Sequence, residues 1–130
     1  MGAKTSSGKP SAGAGKLTTH VLDTATGRPA AGVRIELFRL TSVGRDKLAD
    51  VATNLDGRCV APLLAGEAMQ PGPYELIFHV ADYFRGVDLT LTEPPFLDQV
   101  PVRFGIAEAG AHIHVPLLIS PYGYSTYRGS

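Results

Sequence analysis

The sequence is poor in several features that would mark its class at once. It has a single cysteine, Cys59. One thiol forms no internal disulfide and no CxxC pair, so nothing asks for an oxidising compartment. Cys59 reads as a small core residue and is assigned no chemistry. No apolar run approaches the roughly 20 residues that a membrane-spanning helix needs. Net charge is absent as well, because twelve basic residues balance twelve acidic ones. No global field therefore draws the chain to nucleic acid or to an anionic membrane surface. Lysine is scarce, and three of the four (Lys4, Lys9 and Lys16) fall in the first sixteen residues, which hold no acid. From Leu17 onward nine basic residues face twelve acidic ones, a formal charge of −3.

Residues 1–16, MGAKTSSGKPSAGAGK, contain no large apolar side chain beyond Met1. Such a segment buries too little to offset its ordering entropy and reads as a disordered tail. It also lacks the apolar centre of about 7–15 residues that a secretory signal carries, so a cytoplasmic location is the expectation. Residues 17–130 are expected to form one domain, in keeping with a chain of 130 residues.

From Leu17 the apolar residues recur with period two, which is the strand signature. Val33, Ile35 and Leu37 alternate with Arg34 and Glu36. Tyr74, Leu76, Phe78 and Val80 share one face, with Glu75 and His79 opposite, and Val100, Val102, Phe104 and Ile106 repeat the pattern. Gly and Pro punctuate these runs at Thr26–Pro29, Asn54–Gly57, Pro71–Pro73 and Pro94-Pro95. Only the stretch around Asp82–Arg85 is a helical candidate. Many short strands at this spacing predict an all-β sandwich or small barrel.

Histidine, arginine and tyrosine supply the candidate chemistry. His20 lies in the first strand, LTTHVLD, while His112 and His114 sit two apart in AHIHVP and leave one face of their strand. An HxH pair with a third histidine has the donors for an open zinc site, although no cysteine pair or HExxH helix supports that reading. Arg58 follows the Asp56-Gly57 turn, where a guanidinium is either solvated or held as a fork for a carbonyl or oxyanion. The C-terminal stretch gathers Tyr122, Tyr124 and Tyr127 with Ser120, Ser125, Thr126 and Ser130, a donor-rich set suited to lining a pocket.

These segments, namely LTTHVLDTATGRPAAGVRIELFRL, TNLDGR, PPFLDQVPVRFGI and HIHVPLLISPYGYSTYRGS, together resemble the 5-hydroxyisourate hydrolases, the transthyretin-related branch of the transthyretin family. The resemblance runs from about Leu17 to Ser130 and includes the specific ending Tyr127-Arg128-Gly129-Ser130. It implies a sandwich of two four-stranded antiparallel sheets with one short helix. It also implies a homotetramer, a dimer of dimers, with substrate pockets at the dimer–dimer interface. The implied reaction opens the ring of 5-hydroxyisourate with water to give 2-oxo-4-hydroxy-4-carboxy-5-ureidoimidazoline, without metal or other cofactor. Matched residue by residue, the family's site falls on His20, Arg58, His114 and the segment Tyr127 to Ser130. His20, Arg58 and His114 are then the expected catalytic residues. Tyr127 and Ser130 join His20 and Arg58 in binding substrate, and His112 stands near the pocket. The competing expectation is a transthyretin-like binding or transport protein. Transthyretin resembles this chain through SPYxYST but lacks the YRGS ending and this histidine–arginine set.

Overall fold

The computed structural model describes residues 14–129. The expected N-terminal tail falls largely outside the described residues, as does Ser130. The chain forms β1 (Lys16–Asp23), β2 (Arg28–Pro29), β3 (Arg34–Thr41), β4 (Gly44–Ala52), β5 (Leu64–Ala65), β6 (Gly72–Phe78), α1 (Val80–Gly86), β7 (Val100–Ile106), β8 (His112–Ser120) and β9 (Gly123–Thr126). One sheet runs β2-β1-β8-β9 with β5 also on β1; the other runs β4-β3-β6-β7.

Alternation decides what each strand buries. In β1 the odd positions Leu17, Thr19, Val21 and Asp23 turn inward, while Thr18 and His20 stay half-exposed. Ile113, Val115, Leu117 and Ile119 of β8 meet the inner faces of β3 and β6 in one core with Ile35, Leu37, Tyr74, Leu76 and Phe78. Each such side chain contributes about 1.5–3 kcal/mol by leaving water. Helix α1 forms at the expected place and buries Val80, Ala81, Tyr83 and Phe84. It is pinned by the Tyr83 hydroxyl, which donates to Asp23 Oδ2 at 2.9 Å. Burial and that carboxylate push the Tyr83 hydroxyl up to about 12.

The all-β sandwich with one short helix is as the sequence indicates, with two differences of detail. The first is strand direction. β1 and β8, the central pair of the first sheet, run parallel, with Thr18 beside His114 and His20 beside Pro116. Their partners are distant in sequence, so no hairpin imposes an antiparallel path. That sheet also gains the two-residue strands β2 and β5, for five strands in all.

The second difference concerns the outer face of β6, where Glu75 and His79 do point away from the core yet are buried. Glu75 bonds Arg103 of the adjacent β7 and Arg45 of β4, which reaches across β3, both at 2.9 Å. His79 Nε2 lies 2.6 Å from Glu36 Oε1, and Lys47 reaches the other oxygen at 2.8 Å. Long side chains from neighbouring strands thus cover a face that its own sequence leaves polar.

Candidate active site

Arg58 owes its place to the turn before it. Asn54 accepts through Oδ1 from the amides of Asp56, at 2.9 Å, and Arg58, at 3.2 Å, and its own amide donates to the Arg58 carbonyl at 2.7 Å. Gly57 adopts φ of 73°, open to glycine but costly for other residues. A Cβ there would collide with the Val21 carbonyl oxygen. That close approach lets the Val21 amide donate to the Gly57 carbonyl at 2.8 Å, tying the turn to β1. The next residue on each segment forms the bridge His20–Arg58. Among the described residues the exposed Arg58 guanidinium has no acidic partner, so its fork is available to a ligand.

His114 arrives from the other side of β1. It stands beside Thr18 in the parallel register, one alternation from His20, so Thr18, His20, His112 and His114 all face outward from the first sheet. The Thr18 hydroxyl links two of the histidines: Oγ1 is 2.8 Å from His114 Nδ1 and 3.2 Å from His112 Nε2. Among the described residues no three His, Cys, Asp or Glu side chains are grouped as ligands of one metal ion would be.

The electrostatics favour neutral imidazoles. Burial, then the Arg58 charge, holds His20 below its ordinary value, partly opposed by a hydrogen bond to the Asp56 backbone and by the Asp56 charge. His114 is lowered by burial first, then by Arg58, His20 and His112. The same guanidinium acts on both histidines, which places the three side chains in one field.

The C-terminal segment closes the group. Beyond β9 it continues antiparallel to β8 as far as the bridge His114–Gly129, with the Gly129 amide donating to the His114 carbonyl at 2.7 Å. Tyr127 is 61% exposed beside this run. Tyr127 and Arg128 both line a recess between β7 and β8, with Arg103 and Phe104. Of the expected residues, the fold therefore brings His20, Arg58 and His114 together, while Tyr127 lines the recess beside β7. Thr18 and Asn54 were not anticipated. Thr18 could have been found, since period two puts it on the face of His20.

Comparison with known proteins agrees with this fold. The profile of the HIUase/Transthyretin family matches residues 17–129. The chain belongs to that family. It is 66% identical over 116 residues to a 5-hydroxyisourate hydrolase of Mesorhizobium japonicum, covering 89% of this chain and 93% of the relative. The structure of Klebsiella pneumoniae 5-hydroxyisourate hydrolase superposes with a TM-score of 0.74 at 35% identity, over 89% of this chain and 99% of that one. Transthyretin from Sparus aurata shares the architecture at a TM-score of 0.78 and 26% identity, over 88% and 96% of the two chains. The family thus includes hydrolases and transthyretins on one sandwich, and the side chains on its outer face must separate them.

Proposed function

We propose that this protein hydrolyses 5-hydroxyisourate, and that His20, Arg58 and His114 carry the reaction. The observation behind this reading is the meeting of two imidazoles with one guanidinium on the outer face of the β1–β8 pair. Similarity to 5-hydroxyisourate hydrolases over nearly the whole chain supports it.

Opening a ring amide requires an activated water, a stabilised oxyanion and a proton for the departing nitrogen. A bare imidazole nitrogen takes the proton from water as its oxygen bonds the carbonyl carbon. Arg58 holds the carbonyl oxygen and stabilises the charge that develops there, a role worth about 3–4 kcal/mol. The carbon–nitrogen bond then breaks, its electron pair stays on nitrogen, and an imidazolium returns the proton. His20 and His114 supply these transfers, the imidazole that takes the proton from water being the one that returns it. Tyr127 and Ser130 supply hydrogen bonds to the flat substrate and close the pocket.

Assembly as a homotetramer, a dimer of dimers, belongs to the same proposal. Val60 is 93% exposed and Leu55 88% exposed, both within three residues of Arg58, and Tyr127 is 61% exposed. A second copy over these side chains would remove them from water and enclose the site. The lone thiol Cys59, needing no oxidising environment, fits a cytoplasmic setting. Among the described residues no helix is long and apolar enough to cross a membrane.

The test generates 5-hydroxyisourate in the cuvette from urate and urate oxidase and follows its ultraviolet decay. Fast decay that survives EDTA and fails in His114→Ala and Arg58→Ala is the expected result. Loss of activity on chelation would turn the assignment toward a metallohydrolase. Decay no faster than buffer, from a folded tetramer, would overturn the hydrolase and favour a transthyretin-like binding protein.

A further inference from the structure

Thr18 presents one hydroxyl to two imidazoles in different surroundings. His112 is exposed at the start of β8, beside Lys16, whereas His114 is half-buried in the field of Arg58 and His20. A hydroxyl carries one proton and can donate to only one partner at a time. When it donates to one imidazole it accepts from the other. The nitrogens facing Thr18 are then complementary, protonated on one ring and bare on the other. Thr18 is held to this task by its neighbours on β1, because Leu17 and Thr19 turn inward and the Thr19 hydroxyl donates to the Val115 carbonyl at 2.7 Å.

We propose that Thr18 is a positioning residue that fixes the proton on His114 and exchanges it with His112, making His112 the solvent end of a proton path. This rests on the hydrolytic reading above. In the resting state His114 Nδ1–H donates to Thr18 Oγ1, the Thr18 hydroxyl donates to His112 Nε2, and His114 Nε2 is bare. As water's oxygen bonds the carbonyl carbon, its proton goes to His114 Nε2. The Nδ1 proton then passes to Oγ1, and the hydroxyl proton passes to His112 Nε2. His114 is left neutral and the positive charge sits on His112. When the carbon–nitrogen bond breaks, His114 Nε2 gives its proton to the departing nitrogen. Nδ1 is refilled from Thr18 and Thr18 from His112, so every group returns to its starting state.

The physical advantage lies in where the cation waits. An imidazolium at His114 would stand beside a guanidinium and away from bulk water, the arrangement that burial and like charge both disfavour. At His112 the same charge is solvated. The relay separates the two requirements, leaving His114 a base close to substrate and His112 a store for its proton.

The full-length protein tests this in two ways. In the decay assay, Thr18→Val, which keeps the β-branched shape and removes the hydroxyl, is expected to lower kcat about tenfold with KM changed less than about twofold, while Thr18→Ser stays within about threefold of wild type. His112→Gln is expected to lose kcat similarly and to regain it as imidazole buffer is added, whereas Thr18→Val gains nothing from imidazole. Wild-type kcat in both variants would overturn the proposal. So would equal damage from Thr18→Ser, or no response of His112→Gln to imidazole. The second measurement needs no substrate. Nitrogen NMR of the histidine rings should find one Thr18-facing nitrogen protonated and the other bare, and Thr18→Val should abolish that pairing. Protons on both facing nitrogens would overturn the relay even if the hydrolase assignment stands. An inactive wild type with complementary tautomers would instead overturn the hydrolase reading alone.

Discussion

The backbone of Gly129 lies flat against the imidazole of His114: its amide donates to the His114 carbonyl at 2.7 Å, and a Cβ added to it would sit 3.0 Å from Cδ2 of the ring. A ring held so closely by a backbone cannot be crowded without moving. Gly129→Ala should therefore displace His114 while leaving the sandwich intact, because the contact is made outside the buried core. The expected result is a loss approaching about 10²-fold in kcat/KM, the cost of misplacing a catalytic group by a fraction of its working distance, with an unchanged melting temperature. Steady-state decay assays and thermal melts on the same preparation would check both halves.

The turn that delivers Arg58 makes a second prediction. Gly57 combines a positive φ of 73° with backbone contact to Val21, and an added Cβ would also stand 3.2 Å from the Ala30 amide nitrogen. Gly57→Ala should cost about 1–3 kcal/mol in stability through the strained backbone and should pull Arg58 away from His20. A variant that melts at the wild-type temperature and keeps full activity would show that this close approach is not what positions the guanidinium.

The acid limb of the pH–rate profile should lie below the ordinary imidazole value of 6.5. Burial and Arg58 disfavour the protonated forms of His20 and His114, so a bare nitrogen persists to lower pH than in a free histidine. Rate should hold constant from neutral pH downward and fall only once the lowered values are crossed. Removing the nearby charge in Arg58→Gln should move the histidine titrations upward, which proton NMR can follow even where little activity remains.

Glu75 predicts a pH-dependent stability. The hydrogen bond from Arg103 chiefly holds its carboxyl below the ordinary 4.5, and Arg45 adds to this against the opposing effect of burial. A group with a lowered folded-state value stabilises the fold above its unfolded value, and the contribution disappears as pH falls through the folded one. Glu75→Gln should then be less stable than wild type at neutral pH, by on the order of 1 kcal/mol because both arginines remain solvent-exposed. The two proteins should converge in acid. Denaturant titrations at neutral and acid pH would measure the difference.

Much of this molecule is legible along the chain because its signals are local. Alternation in Val33–Leu37 and Val100–Ile106 is written in adjacent residues, and Gly27 and Gly57 mark turns through the positive φ they adopt. The motifs around His20, Arg58 and His114 are likewise short, and they were enough to name the family and its candidate site. The covered outer face of β6 was not legible. Whether Glu75 meets water or two guanidiniums depends on Arg45 and Arg103, which lie 30 residues before it and 28 after it.

By itself the sequence determined that the segments of β1, β3, β6, β7 and β8 are strands and where the helix falls. Each of these follows from side-chain spacing against a backbone period. Only the tertiary structure decided that β1 and β8 run parallel in a register that sets Thr18 against His114 and His20 against Pro116. That register joins residues more than ninety positions apart, and the whole core settles it at once. A shift of one residue would turn His114 inward and Val115 out.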